Sequence, residues 1–207
     1  MCDGTNNGAH TSPGPTIISA IDDAVSTWDG TWDKKYRDYF ITSIAGYSQT
    51  ADKYWGLLVK YKFTKGGCQT QVAAGDQVLV AFDAFSPTGN KVFLEASANK
   101  QSIPRGDEII FSVVDAFANR TPVKDAQVVA NAGPKGTTGI DGRTTLRFED
   151  VGVYKYKATK FGAIRSNEVV VTVTAPPAPP PPLETNMAGV ESQTAYLYDS
   201  GFRGCNQ

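Results

Sequence analysis

The feature that most constrains the fold is a succession of short runs in which apolar and polar residues alternate. The clearest run is YWGLLVKYKF, in which Trp55, Leu57, Val59, Tyr61 and Phe63 fall on alternate positions. Successive side chains point to opposite faces of a strand, so this period of two predicts a strand with one buried face. The chain is therefore predicted to be built largely from strands.

The first half of the sequence contains one predicted helix. In TIISAIDDAVSTW, apolar residues recur at helical spacing from Ile17 to Trp28, and Pro13 and Pro15 precede or begin the first turn, where proline is tolerated. The following WDGTWD is predicted to form turns that end the helix, and DYFITSI, QVLVAFDAF and KVFLEAS are predicted to form strands. A helix followed by several strands predicts an α+β domain over residues 1–97.

From residue 98 onward the pattern is that of an all-β domain. Asp, Gly, Asn and Pro turn signals separate five runs: DEIIFSVVDAF, DAQVVAN, GRTTLRF, GVYKYKAT and AIRSNEVVVTVT. Evenly spaced short strands of this kind predict a small β-sandwich over residues 98–174. The APPAPPPP stretch that follows cannot join a sheet, so residues 175–207 are predicted to be a stiff proline-rich spacer and a disordered tail.

The charge balance bears on the class of partner. The chain has 20 basic and 21 acidic residues, a formal net charge of −1. Nucleic-acid binding depends on neutralising phosphates, so this balance argues against a nucleic-acid partner. No apolar run approaches the roughly 20 residues that span a bilayer, so no membrane span is predicted.

The cellular compartment is predicted from composition. No basic and apolar signal segment precedes Cys2. The abundance of Thr, Gly, Ala and Val, the proline-rich spacer and the Asn119-Arg120-Thr121 acceptor pattern for N-glycosylation nevertheless favour a secreted protein. We therefore expect an extracellular or cell-surface monomer whose first segment is missing from this sequence, with Asn119 as a glycosylation site.

The sequence contains no recognisable motif for catalysis or metal binding. His10 is the only histidine, and no G-x-S-x-G, H-E-x-x-H or P-loop motif occurs. The opening DGTNNG has too few carboxylates for a calcium loop, and zinc would need four ligands at fixed geometry. We therefore predict no metal site and no enzymatic activity, and interpret the opening stretch as a surface loop.

Aromatic residues are concentrated in WDGTWDKKYRDYF. They can either stack on a flat ligand, such as a sugar or a corrin ring, or pack in the core. Trp28 and Phe40 are predicted to be core residues, and Trp32 and Tyr36 to be the exposed members. Trp55 lies on the buried face of the clearest strand, where core packing is the default. The candidate ligand-binding set is Trp32, Tyr36, Trp55 and Phe85.

The first half of the sequence resembles a known family. YWGLLVKYKFTKGGCQTQVAAGDQVLVAFD has a tryptophan on a strand, glycine turns and a GD turn before an aromatic-containing strand, and CDGTNNGAH, PGPT and WDGTW precede it. Over residues 2–97 this resembles the transcobalamin-like C-terminal domain, in its secreted fungal form. The resemblance implies a β-grasp-like α+β domain with one main helix, which in the vitamin carriers covers one face of a bound corrinoid.

The sequence departs from this family in three respects. The carriers have a large helical barrel, for which this chain has no counterpart, and Val80 stands where the family usually has a tryptophan. The family also usually has a strand pair before the segment that begins at Cys2. These departures bear on whether cobalamin, the cofactor that the resemblance implies, would still bind.

The resemblance also implies a disulfide. The chain has three cysteines, Cys2, Cys68 and Cys205, with no C-x-x-C spacing that would suggest zinc. Cys2 and Cys68 lie in the same predicted domain, and a bridge between them would join the opening loop to the KGGC turn. Cys205 is expected to be free or to pair with something outside this chain.

The second half resembles the bacterial-type immunoglobulin-like modules of cell-surface proteins. The resemblance rests on a Pro-Val turn, a small-residue strand, a D-G turn and a G-x-Y pattern before the penultimate strand, over residues 98–174. Together these features predict a non-enzymatic secreted or cell-surface binding or adhesion protein. They do not identify its extracellular ligand, for which a glycan or a cell-wall component is one candidate. The alternatives are a carrier that binds a corrinoid or another flat ligand through the first domain, and a hydrolase whose site is not apparent.

Overall fold

The computed structural model describes residues 2–5, 8, 10–85 and 89–176. The chain divides into a compact unit, Met1–Ala175, and a second unit, Pro176–Gln207. The described helix and strands all lie in the first unit. Apart from its first two residues, the predicted spacer and tail lie outside the described residues, and so does Cys205.

The fold is largely β. Helix α1 spans Ile17–Ala24 and is the only helix in the described part of the chain. The strands are β1 (Trp28–Asp33), β2 (Asp38–Ile44), β3 (Tyr47–Ser48), β4 (Trp55–Val59), β5 (Lys62–Phe63), β6 (Val78–Phe82), β7 (Leu94–Ala98), β8 (Ser102–Pro104), β9 (Glu108–Asp115), β10 (Thr121–Pro122), β11 (Gln127–Ala130), β12 (Gly136–Thr137), β13 (Arg143–Arg147), β14 (Gly152–Thr159) and β15 (Val169–Thr174).

Helix α1 begins at a local capping signal. The Thr16 hydroxyl accepts a hydrogen bond from Ser19 N (3.3 Å), and the Ser19 hydroxyl accepts one from Thr16 N (2.8 Å). This reciprocal pair is a capping box in which serine takes the place of the usual Glu or Gln. Ile17, Ile18 and Ile21 bury one side of the helix against the sheets.

The segment after the helix differs from the prediction. The helix ends at Ala24, and WDGTWD forms β1 instead of turns. β1 pairs antiparallel with β2, from Trp28 opposite Ile44 to Asp33 opposite Asp38. The prediction that Trp28 continues the apolar face of the helix is therefore wrong. Pairing with β2 satisfies the backbone groups of β1, and this contact between separate segments overrides a local turn signal.

The predicted strand over YWGLLVKYKF is a hairpin. β4 turns into β5 at Lys60 and Tyr61, so that Val59 lies opposite Lys62. Lys60 and Tyr61 have positive φ values of 50° and 59°. Two such residues form the type I′ turn, whose twist matches that of the flanking strands. Phe63, predicted to share the buried face of Trp55, lies on the return strand and is 59% exposed.

Two three-stranded sheets, with strand orders β1-β2-β3 and β5-β4-β6, form the N-terminal half, residues 10–85. One apolar cluster joins α1 to these sheets through Ile41, Trp55 and Leu57. The opposite face of β4 is also covered, because Leu58 belongs to a second cluster with Phe85. β4 is therefore covered on both faces, whereas the alternation predicted one buried face.

The C-terminal half, residues 89–174, is a β-sandwich. In one sheet β7, β10 and β13 pair with β9; the other sheet has the order β12-β11-β14-β15-β8. The facing side chains share one apolar core, in which Tyr156 packs on Phe111 and Phe148 with ring centroids 4.8 and 6.0 Å apart. Each of the five predicted runs contains one strand of the sandwich, namely β9, β11, β13, β14 or β15.

β7 belongs to the sandwich although KVFLEAS was assigned to the first domain. It pairs with β9 from Leu94 opposite Asp115 to Ala98 opposite Phe111. The predicted boundary between residues 97 and 98 therefore falls within a paired strand.

The tip of the β4–β5 hairpin connects the two halves. The Tyr61 hydroxyl lies 3.1 Å from Leu94 O and 3.3 Å from Asn167 Oδ1. Burial is the main cause that raises the pKa of Tyr61 above its ordinary value. Beside this contact, an aromatic cluster contains Phe63, Phe85, Phe93 and Phe117. The N-terminal half is thus held to the sandwich by a half-buried hydroxyl and by packed rings.

Candidate functional site

The opening loop is attached to the N-terminal half at two points. Cys2 and Cys68 form the disulfide that the resemblance implies. Gln71 Nε2 donates to Gly4 O, and also to Ser12 O at 3.0 Å. The opening is therefore a tethered loop that leads into α1, as the sequence analysis predicts.

A groove of about 350 Å³ lies where the β1–β2 hairpin meets β4 and the loop of residues 65–69. Its aromatic lining consists of Tyr36, Tyr39, Phe40 and Trp55. Its polar lining includes Asp33, Asp38, Lys65 and Gln69. We call this site the aromatic groove. Pockets for small ligands generally combine apolar walls with a few polar groups in a volume of about 300–1,000 Å³, and the groove lies at the lower end of that range.

The four aromatic side chains differ in exposure. Tyr36 and Phe40 are each 58% exposed, whereas Tyr39 and Trp55 are half-buried. Trp55 Nε1 donates a hydrogen bond to Tyr47 O (3.2 Å). This bond holds the indole in one orientation, so the groove has one anchored ring and two rings that extend into solvent.

Asp33 shapes the turn that carries Tyr36. Asp33 Oδ1 accepts hydrogen bonds from Lys35 N (2.7 Å) and Tyr36 N (3.1 Å). A carboxylate that accepts from the backbone two residues later forms an Asx turn. On the other side of the turn, Gln69 Nε2 donates to Tyr36 O (2.7 Å). The backbone of Tyr36 is therefore fixed from both sides while its ring stays exposed.

Asp38 joins β2 to the loop that carries the disulfide. Asp38 is only 8% exposed, and its Oδ1 accepts hydrogen bonds from Tyr39 N (2.7 Å) and Cys68 N (2.9 Å). Oδ2 is buried without a hydrogen-bond partner among the described residues. A Cβ atom at Gly66 would collide with Oδ2, so glycine is needed where this loop passes the carboxylate.

The structure brings together two of the four predicted ligand-binding residues. Tyr36 and Trp55 line the same groove. Trp32 supports the groove from behind, because its ring meets the Tyr39 ring edge to face with centroids 5.0 Å apart. Phe85 lies apart from them, 6% exposed, in the cluster that joins the N-terminal half to the sandwich.

Phe40 is a groove residue that the sequence analysis placed in the core. That prediction is wrong, because Phe40 is 58% exposed. Tyr39 and Ile41 pack in the cluster beneath α1, so the residue between them must point to the other face of β2. Alternation within DYFITSI does not identify Phe40 as exposed, because Ile44 would share its face and is only 7% exposed. A register shift in the pairing of β1 with β2 separates the two residues.

Other residues singled out in the sequence lie outside the groove. His10 is in the opening loop, where its backbone N–H donates to Thr5 O (2.8 Å). Asn119 is exposed in the turn before β10, with φ of 49°. Within the described ranges, no three His, Cys, Asp or Glu side chains are grouped so that they could hold a metal ion. Helix α1 is neither long nor apolar enough to cross a membrane.

No protein-family model matches the chain, and no curated protein is significantly similar to it. The transcobalamin-like and immunoglobulin-like resemblances, and the corrinoid that the first of them implies, therefore stay predictions.

Proposed function

We propose that this chain is an extracellular, non-enzymatic binding protein that recognises a saccharide through the aromatic groove. The observation that carries the proposal is the meeting of Tyr36, Phe40 and Trp55, which come from the β1–β2 hairpin and from β4. Tyr36 and Phe40 expose large apolar surface to the same groove, which is unfavourable in water unless something covers it.

The chemistry of the groove suits a sugar ring. A pyranose has apolar C–H faces, which pack on aromatic rings, and a rim of hydroxyl groups, which need hydrogen-bond partners. The exposed rings of Tyr36 and Phe40 offer the apolar contact. Asp33 and Lys65, which also line the groove, offer an acceptor and a donor for hydroxyl groups.

Two finer descriptions of the fold belong to the same proposal. The packing of α1 against two small sheets supports a β-grasp-like α+β first domain. Two facing sheets around one core support an immunoglobulin-like second domain. A rigid sandwich followed by a proline-rich spacer would hold the groove at a distance from an anchor.

The corrinoid alternative has less support from the contacts. A corrin is a flat ring that would need a broad aromatic surface, and Phe85, predicted to contribute to it, is buried in the cluster between the two halves. Val80 packs against the cluster beneath α1. The aromatic groove, at about 350 Å³, suits a small ring better than a corrin.

A saccharide array probed with the full chain tests the proposal. Tyr36→Ala and Phe40→Ala remove exposed rings, so we expect binding to weaken about tenfold in each variant. Phe161→Ala, which removes a fully exposed ring in the sandwich half, is the matched control and should bind as the wild type does. Thermal unfolding of the three variants shows whether each keeps its fold. Absence of any bound saccharide, or equal binding by groove and control variants, would refute the proposal.

A further inference from the structure

Exposed cations lie in the turn that carries Tyr36 and in the loop beside the aromatic groove. Lys34, Lys35 and Arg37 occupy three of the four positions in the turn between β1 and β2, and Lys65 lines the groove from the neighbouring loop. The seven ion pairs among the described residues all lie elsewhere, so none of these four cations has a carboxylate partner within 4.0 Å. Their charge is available to a ligand.

The carboxylates of the groove do not cancel this charge. Asp33 is engaged with the backbone of the turn through Oδ1. Asp38 is buried and accepts two backbone hydrogen bonds. Both carboxylates keep their charge, but the four exposed cations outnumber them, so the local formal charge is positive.

A cation and a ring already lie side by side at this site. The Lys35 ammonium is 5.1 Å from the centroid of the Tyr36 ring, within the range of a cation–π contact. A sugar unit that stacks on the exposed ring would bring its substituents close to this ammonium. Arg37, in the same turn, has a planar guanidinium that matches a carboxylate through two parallel hydrogen bonds.

We propose that the saccharide bound by the aromatic groove is acidic, with carboxylate groups on its sugar rings. This inference rests on the proposed function, because it assigns a chemical class to the ligand of the same groove. The rings stack on Tyr36 and Phe40, and the carboxylates pair with Arg37 and with the lysines of the turn and of the loop beside the groove. The carboxylates of the ligand thus become ion-pair partners for cations that have none among the described residues.

Matched ligands test the charge requirement. Tetrasaccharides of galacturonate, mannuronate and glucuronate are titrated into the full chain, each beside its methyl ester, which keeps the rings and removes the charge. We expect at least one acid to bind about tenfold more tightly than its ester. We also expect its affinity to fall as sodium chloride rises from 50 to 500 mM, because the Debye length shortens from about 14 to about 4 Å.

Matched variants locate the charge requirement in the groove. A triple variant, Lys34→Gln/Lys35→Gln/Arg37→Gln, removes three positive charges from the turn. Its control, Lys100→Gln/Lys135→Gln/Arg165→Gln, removes three exposed cations from the sandwich half and changes the net charge equally. The groove triple should lose at least tenfold in affinity for the acidic tetrasaccharide, and the control should lose less than twofold.

The possible failures are distinguishable. Equal affinity for every acid and its ester, or equal losses in the two triple variants, would overturn the acidic ligand. Binding of neutral saccharides through the groove, with no acid bound, would also overturn it while leaving the proposed function standing. If no saccharide of either kind bound, both proposals would fall.

Discussion

The two halves of the molecule close their cores to different degrees. Among the described residues, the sandwich core has sixteen buried apolar residues with five partly buried ones around it, whereas the cluster beneath α1 has six buried and eleven partly buried. Two facing sheets seal a core between them. An eight-residue helix covers only part of two small sheets. The aromatic groove lies where the N-terminal core is left open.

This difference shows how one chain can combine a closed core with a partly open one. The N-terminal half compensates for its open core with a disulfide and with the contacts that Tyr61 makes to the sandwich. The sandwich has no disulfide among its described residues and depends on apolar burial.

Removal of the disulfide should destabilise mainly the N-terminal half. The bridge joins residues 66 positions apart in the sequence, and closing a loop of that length contributes about 4 kcal/mol. In the variant Cys2→Ser/Cys68→Ser, amides of β2 and β4 should lose hydrogen-exchange protection, while those of β9 and β14 keep most of theirs. Equal loss in both halves would contradict the contrast. A reducing agent should affect the wild type and leave the variant unchanged.

Matched isoleucine truncations compare the two cores directly. Ile109 in the sandwich is fully buried, and Ile41 beneath α1 is 5% exposed. Truncation leaves a cavity, and the loss of stability is smaller where the surrounding residues can relax or water can enter. The core beneath α1 is the more open of the two. We therefore expect Ile109→Ala to lower the free energy of unfolding by about 4 kcal/mol and Ile41→Ala by about 2 kcal/mol. Urea unfolding measures each loss, and equal values would show that the cores are equally closed.

Alkaline pH should weaken the sandwich through Tyr156. Burial, aided by the neighbouring Tyr154, raises the pKa of Tyr156 to about 12, above its ordinary value of 10.0. The neutral hydroxyl, which donates to Pro134 O (2.9 Å), is thus favoured in the folded state. Its contribution is complete below pH 10 and is lost as the pH rises towards 12.

Urea midpoints at pH 8, 10 and 11 test this expectation. The wild type should lose stability over that range, and Tyr156→Phe should lose less of it, because the variant has no hydroxyl to ionise. At pH 8 the variant should be less stable by about 1 kcal/mol, through loss of one hydrogen bond. An identical pH dependence in both proteins would exclude Tyr156 as the cause.

Tyr61→Phe should loosen the connection between the halves. The variant keeps the ring and removes the hydroxyl that lies against Leu94 O and Asn167 Oδ1, a loss of about 1 kcal/mol. Tyr154→Phe is the control, because the Tyr154 hydroxyl donates to Asp150 O within the sandwich (2.9 Å). Hydrogen exchange of β4 should quicken in the first variant only. An equal change in the second would show that Tyr61 has no special role in the connection.

The elements predicted correctly have signals that are local in the sequence. The start of α1 follows from Pro13 and Pro15 and from the helical spacing of the apolar residues, and the five runs of the sandwich follow from alternation between turn residues. The turn at Lys60 and Tyr61 has no such signal, because neither residue is glycine or asparagine. Its positive φ values are offset by contacts outside the turn: the Tyr61 hydroxyl bonds and an ion pair between Lys60 and Asp76 (2.5 Å).

From the sequence alone one can predict that the chain is rich in strands, where its helix begins and which half forms a sandwich. The folded chain is needed to see that β7 joins that sandwich, that Phe40 faces solvent and that Tyr36 and Trp55 line one groove. The physical reason is the range of the forces involved. Capping and alternation act between residues a few positions apart, whereas a groove depends on packing between segments that are distant along the chain.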